Sequence, residues 1–91
     1  MNEVFLIGKV ISDIEFKFII NSNNISIAMF EIITIQDKQI IRVKAYNEIA
    51  DYIYQHIKKN DFIAIEGKIR DGFIEILRLW IIKIHFKAVN K

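Results

Sequence analysis

The 91-residue sequence contains no cysteine and no proline, and it has only three glycines and one tryptophan. The absence of cysteine excludes a disulfide framework and a thiolate metal site. The absence of proline means that no strand is interrupted by a residue lacking its N–H. Charged residues break every apolar run within a few positions, so none approaches the roughly 20 apolar residues of a spanning helix. We therefore expect one globular domain and no membrane segment.

The charges nearly balance, since 13 lysines and arginines face 11 aspartates and glutamates, for a net charge of +2. So small an excess is common among ordinary domains, and the distribution of the cations matters more than their sum. An acidic residue, Glu3, stands where a signal peptide needs positive charge, which predicts a cytoplasmic location. Isoleucine is used heavily, and this favours strands because isoleucine suits a pleated, half-buried surface.

Alternating apolar residues and the turn residues between them predict five strands. The expected strands span residues 4–20, 25–35, 39–46, 61–70 and 73 to about 87. Gly8 predicts a bend that lets the first strand serve both ends of a sheet. In the fourth strand, Ile63, Ile65 and Ile69 are expected to alternate inward. Asp71-Gly72 is the strongest hairpin signal in the chain.

One helix is expected between the third and fourth strands, with Asn47 as its N-cap and Asn60 as a left-handed stop. Ile49, Ile53 and Ile57 recur with helical spacing and predict an apolar stripe that packs on the core. Three strands, one helix and two strands is the order of the OB-fold. We therefore predict an all-β protein, a five-stranded Greek-key barrel with one helix between strands 3 and 4. A generic α+β roll with the same elements is the alternative.

The outward face of the third strand carries a cation, a second cation and an aromatic residue in alternation: Arg42, Lys44 and Tyr46. Cations that neutralise phosphates beside a ring that stacks on a base are what single-stranded nucleic acid binding requires. The alternative is an ordinary solvated strand face, with Tyr46 packed on the start of the helix.

Further cations are candidates for the same groove. Lys68 and Arg70 lie on the outward face of the fourth strand, and Phe73 follows the turn. These residues are predicted to extend the groove; the alternative is an edge strand that is protected by charge. Four scattered lysines are candidates for a rim that tracks phosphates, or are simply surface lysines: Lys9, Lys17, Lys38 and Lys59.

Apolar residues on the outward faces of the first two strands would make an unusually large exposed patch. One explanation is burial in an oligomer interface made of Phe5, Ile7, Ile27 and Met29, which predicts a homodimer or a homotetramer. Hydrophobic walls of the binding groove are the alternative for these residues and for Ile33 and Ile35.

No residue set supports catalysis. His56 and His85 are isolated from other metal ligands, and the sequence has no Ser-His-Asp set and no Gly-rich phosphate loop. We expect a binding module, with no metal and no cofactor, rather than an enzyme.

Several motifs, in order, are similar to the bacterial single-stranded DNA-binding protein family. Asn2, Val4, Leu6, Gly8 and Val10 resemble the opening pattern of that family. The segments 28–32 and 42–46 resemble its second and third strands, and residues 49–51 resemble the start of its helix. Residues 59–70 resemble K-G-x-x-V-x-V-E-G-x-L-R. Together these motifs cover about residues 2–77.

The resemblance implies an OB-fold that binds single-stranded DNA without sequence specificity, acts in DNA replication, recombination or repair, and assembles through its first strand. The sequence departs from the family at its stacking tryptophans: Ile40 stands near one such position, Trp80 lies too far along the fifth strand, and Tyr46 alone matches an aromatic contact. The family's Gly-rich linker and acidic tail are not found, so residues 1–91 are expected to form a single domain without that tail. Primosomal replication proteins are a close relative. A protein-interaction module and an RNA-binding OB domain are the alternative functions.

Overall fold

The computed structural model describes residues 2–21 and 23–83. Its elements, in chain order, are β1 (Glu3–Val10), β2 (Glu15–Ile19), β3 (Ile25–Thr34), β4 (Ile40–Tyr46), α1 (Asn47–His56), β5 (Phe62–Arg70) and β6 (Phe73–Ile82). The last predicted strand is present as far as Ile82, and its predicted end at residues 84–87 lies outside the described residues, as does His85. Among the described residues, no helix has the length and apolar character needed to cross a membrane.

The strands form one sheet in the order β1-β5-β6-β4-β3-β2, and a further pairing between β1 and β3 closes it into a barrel. Gly8 pairs with both Thr34 of β3 and Ile63 of β5, so the first strand serves both ends of the sheet, as predicted. A Cβ at Gly8 would lie 2.8 Å from the carbonyl oxygen of Ile33, which is why this crossing needs glycine. The helix lies between β4 and β5, and the predicted OB-fold is confirmed.

The first strand of the barrel is interrupted at residues 11–14, so the prediction of one continuous strand over residues 4–20 was wrong. Val10 and Glu15 are five residues apart, whereas their partners on β3, residues 32 and 29, are three apart. The two extra residues bulge out of the ladder. The hydroxyl of Ser12 accepts the N–H of Glu31 at 2.8 Å and holds the bulge against β3. The five strands of the fold therefore appear as six segments.

The core consists of the inward-facing residues of the strands, closed at one end by the helix. Its buried strand residues are Val10, Ala28, Phe30, Ile32, Val43, Ala45, Ile63, Ile65, Ile74 and Ile76. On the helix, Ile53 and Ile57 are buried and Ile49 packs against the cluster, so the predicted apolar stripe is confirmed. The inward position predicted for Ile69 is wrong: its side chain is 49% exposed. Ile69 lies near the tip of the β5–β6 hairpin, close to the turn at residues 71–72.

The helix begins and ends differently from the prediction. Tyr46 occupies the N-cap position and its side chain makes no capping hydrogen bond, whereas Asn47 has φ 57°. The strand β4 passes into the helix without a loop, so Asn47 supplies the left-handed turn that asparagine tolerates better than most residues, and it is not the N-cap. Asn60 has φ 82°, as expected of a left-handed residue. It lies in the turn before β5, however, and the helix has already ended at His56.

Candidate nucleic-acid interface

The outer face of β4 carries the three residues that the sequence predicted to share it. Arg42, Lys44 and Tyr46 alternate with the buried Val43 and Ala45. Each outer residue has a direct neighbour on β3, and the pairs are Arg42 with Glu31, Lys44 with Met29, and Tyr46 with Ile27. This face therefore mixes cations, one carboxylate and apolar side chains.

The β5–β6 hairpin brings a second set of predicted residues to the same face. The two-residue turn Asp71-Gly72, with Gly72 at φ 86°, sets Arg70 opposite Phe73. Because β6 runs parallel to β4, the Nζ atom of Lys44 lies 4.3 Å from the centroid of the Phe73 ring. That distance is well inside the range of a cation–π contact. We call Arg42, Lys44, Tyr46, Arg70 and Phe73 the cationic face.

A carboxylate that the sequence reasoning missed lies within the cationic face. The Nε and Nη2 atoms of Arg70 both lie 2.8 Å from Oε1 of Glu75, and the Nε–H donates to that oxygen. Glu75 also pairs in register with Lys68 on β5 and with Lys44 on β4. The position of Glu75 could have been predicted from the hairpin, since a two-residue turn that pairs residues 70 and 73 also pairs residues 68 and 75.

One row of outer side chains crosses every strand of the sheet. In spatial order it reads Glu3, Lys68, Glu75, Lys44, Met29 and Glu15. Each cation on this row has a carboxylate beside it, so the charge of the face is locally balanced. Lys68 therefore lies on the predicted face but is separated from Lys44 by Glu75.

The four rim lysines do not form one line. Lys17 pairs with Ile27 and so lies in the row of Tyr46. Lys9 lies on β1, with its Nζ atom 6.0 Å from the ring centroid of Phe62, at the end of β5 opposite to Arg70. Lys38, with φ 58°, lies in the turn between β3 and β4, and Lys59 lies in the turn between α1 and β5.

The predicted oligomer interface divides between two sectors of the barrel. Phe5 and Ile7 are 58% and 39% exposed on β1, and the Phe5 ring centroid lies 6.3 Å from that of Trp80, which is 47% exposed. We call Phe5, Ile7 and Trp80 the apolar patch. Ile27 and Met29 are half-buried on β3, beside Tyr46 and Lys44, and therefore lie next to the cationic face.

The cationic face has the chemistry to bind a chain of phosphates and unpaired bases: guanidinium and ammonium groups, and an aromatic ring between two of them. No group of three or more His, Cys, Asp or Glu side chains in residues 2–21 and 23–83 is placed to hold a metal ion.

A closed barrel of this topology, with one helix between β4 and β5, defines an OB-fold domain. The chain belongs to the single-strand binding protein family, whose sequence profile matches residues 1–75. The family resemblance predicted from the sequence motifs is therefore confirmed. No curated protein matches the chain by sequence.

The fold is similar to that of solved bacterial structures at low sequence identity. The wild-type single-stranded DNA binding protein from Thermus aquaticus has a TM-score of 0.82 and 18% identity, and the match covers 99% of this chain and 44% of that one. A deletion mutant of the Thermus protein gives a TM-score of 0.85 and 19% identity, covering 99% and 45%. The SSB domain of a Synechococcus sp. protein gives 0.76 and 17%, covering 87% of this chain and 93% of that one. The chain thus spans less than half the length of the Thermus proteins.

Proposed function

We propose that this chain binds single-stranded DNA with little sequence preference, in DNA replication, recombination or repair in the cytoplasm, and that it acts by binding and not by catalysis. The observation that carries the proposal is the contact of Lys44 with the Phe73 ring, 4.3 Å from Nζ to centroid, on the outer face of an OB-fold barrel. A cation beside a ring offers adjacent sites for one phosphate and one base, which is the repeating unit of a single strand.

Each residue of the cationic face has a distinct role in this proposal. Arg42 and Lys44 neutralise phosphates, since neither forms a salt bridge within the described residues. Phe73 and Tyr46 stack on bases. The half-buried Ile27 and Met29 form an apolar floor between them. Weaker phosphate contacts are proposed for Lys68 and Arg70 on β5, and for three lysines farther from this centre: Lys9, Lys38 and Lys59.

Fluorescence anisotropy of a labelled oligo-dT, titrated with protein at several salt concentrations and with duplex competitor present, tests the proposal. The logarithm of the binding constant for a single strand falls linearly with the logarithm of the salt concentration, and the slope is about 0.7 for each phosphate contacted. Replacing Arg42 and Lys44 together by alanine is therefore expected to reduce the slope by about 1.4. The matched control replaces Lys58 and Lys83, two exposed lysines outside the cationic face, by alanine.

If the control double variant lowers the slope as much as the Arg42 and Lys44 variant does, the contact is general charge attraction and the cationic face is not the site. Two results contradict a preference for single-stranded DNA. One is that duplex DNA displaces the labelled oligo-dT; the other is that a matched RNA oligonucleotide displaces it more strongly than the DNA oligonucleotide does.

We also propose that the chain self-associates into a homodimer or homotetramer through the apolar patch. Phe5 and Trp80 expose about half of their surfaces there, and residues 3–6 of β1 pair with β5 only, within the described residues, leaving one strand edge unpaired. An exposed apolar face beside an unpaired edge favours pairing with a second chain.

Phe5→Glu is expected to yield monomers in size-exclusion chromatography with light scattering, because it buries a charge in the proposed interface. Phe18→Glu is the matched control, since Phe18 is 55% exposed and lies on β2, away from the patch. A wild-type protein that is monomeric at high concentration contradicts the proposal.

A further inference from the structure

The ion pair between Arg70 and Glu75 lies at the place where the proposed function needs free cations. Two nitrogen atoms of the Arg70 guanidinium converge on one carboxylate oxygen at 2.8 Å. Glu75 is more buried than its partner, with 23% of its side chain exposed against 45% for Arg70. The carboxylate is therefore held in the sheet, while the guanidinium reaches over it from the tip of the hairpin.

We propose that Glu75 is an affinity-setting residue that occupies Arg70 as an internal mimic of phosphate, so that a DNA phosphate must displace the carboxylate to use this cation. This inference rests on the proposed function of the cationic face. It assigns to Glu75 a role opposite in sign to that of its cationic neighbours, because the carboxylate weakens binding instead of supporting it.

The chemistry of the guanidinium supports the competition. A carboxylate and a phosphate oxygen are both acceptors for the same fork of N–H donors. The Nε–H of Arg70 already donates to Oε1 of Glu75, and Nη2 lies 2.8 Å from the same oxygen, so a phosphate at that edge would place two negative charges on one site. Binding of the phosphate and retention of the internal pair therefore exclude each other.

The Glu75 carboxylate also lowers the positive potential at the neighbouring cations. Glu75 is the register partner of both Lys44 and Lys68, so its charge lies between two residues that the proposed function uses. Removing that charge frees Arg70 and also strengthens the potential that Lys44 and Lys68 present to a phosphate.

The experiment compares wild type, E75Q, R70Q and the double variant E75Q/R70Q, each titrated with labelled oligo-dT over a range of salt. E75Q is expected to bind oligo-dT about two- to tenfold more tightly than wild type at low salt. The range follows from the free energy of an exposed ion pair, which is no longer lost on binding, and from one added phosphate contact. Its salt slope should steepen by about 0.7. R70Q should differ little from wild type, whereas R70Q in the E75Q background should abolish most of the gain.

The chain offers a matched control in its other outer-face ion pair. Glu66 lies 3.6 Å from Arg78, and E66Q removes the same charge from the β1–β5–β6 sector, next to the apolar patch. E66Q should leave affinity and slope close to those of wild type. Thermal melting checks that each variant is folded, and E75A provides a second protein without the carboxylate.

Three results overturn the inference. Equal gains for E75Q and E66Q mean that net charge alone acts. A loss of affinity for R70Q in the wild-type background as large as in the E75Q background means that Arg70 is already free. An E75Q or E75A protein that binds no more tightly than wild type means that the carboxylate does not compete. Failure of all these proteins to bind oligo-dT at low salt would instead refute the proposed function, and the inference with it.

Discussion

Of the three glycines, Gly67 is the one where adding a methyl group should damage this fold most. A Cβ built there lies 2.3 Å from the carbonyl oxygen of Glu75 and 2.7 Å from Cγ2 of Ile74. The obstacle is backbone, in the adjacent strand β6, so a rotamer change cannot remove it. Gly67 also flanks the register shift between β5 and β6, where the two strands cross closely. Gly67→Ala must therefore push β6 away by almost an ångström.

The expected cost is about 3 kcal/mol, the upper end of the range for overpacking, because a whole strand has to move. For a domain of this size, each kcal/mol lowers Tm by about 4–8 °C, so Gly67→Ala should melt about 12–24 °C below wild type. Gly72→Ala is the control. Its Cβ would meet no atom within 4 Å, so the variant should lose only about 1 kcal/mol of stability, because of the positive φ of 86°. Circular dichroism melts and urea unfolding curves of both variants measure the difference.

A Gly67→Ala protein whose stability lies within about 1 kcal/mol of Gly72→Ala would refute this reasoning, because the two differ chiefly in the predicted backbone clash. The same variant should also weaken oligo-dT binding, since the clash with the backbone of β6 moves the strand that carries Phe73 away from Lys44.

Three further outcomes are expected. Oligo-dT should leave the fluorescence of Trp80, the single tryptophan, almost unchanged, because this ring lies beside Phe5 and not on the cationic face; strong quenching would move the DNA site to the apolar patch. Phe73→Leu should weaken oligo-dT binding about five- to a hundredfold, the value of one stacked base, with the salt slope unchanged; a changed slope in the anisotropy titration would mean that phosphate contacts were lost as well. Asn47→Ala should lower the free energy of unfolding by about 1–2 kcal/mol because of φ 57°, whereas Asn47→Gly should not; equal urea midpoints for the two would contradict a conformational role.

Local patterns in the sequence predicted most of the barrel because each rests on neighbouring residues. The alternation along β4 placed Arg42, Lys44 and Tyr46 on one face, and the dipeptide Asp71-Gly72 predicted the hairpin. The break at residues 11–14 was not predictable in this way. It arises because the register of the first strand against β3 shifts by two residues there, and the hydroxyl of Ser12 accepts a hydrogen bond from the N–H of a residue 19 positions away.

The same limit applies to the candidate site. Alternation shows which side chains share one strand's face, but not which strand lies beside it. The parallel pairing of β4 with β6 brings Lys44 to Phe73 and Glu75, and it joins segments separated by the whole helix and β5. The predicted interface is divided for the same reason, because the sequence does not show which strands are neighbours. Residues 8–10 of β1 pair with the end of β3 that lies opposite to Ile27 and Met29.

The charge pattern of the cationic face predicts that aromatic stacking contributes more to single-strand binding than the number of cations alone indicates. Glu31 is the register partner of Arg42, and Glu75 is that of Lys44, so a phosphate approaching either cation also approaches a carboxylate. Each carboxylate subtracts from the electrostatic attraction, and salt screens what remains. The stacking proposed for Phe73 would not be reduced in this way, because the attraction between a ring and a base does not depend on net charge. With its cations balanced and its rings few, the face should bind a single strand reversibly, and binding should respond more to the loss of one ring than to the loss of one lysine.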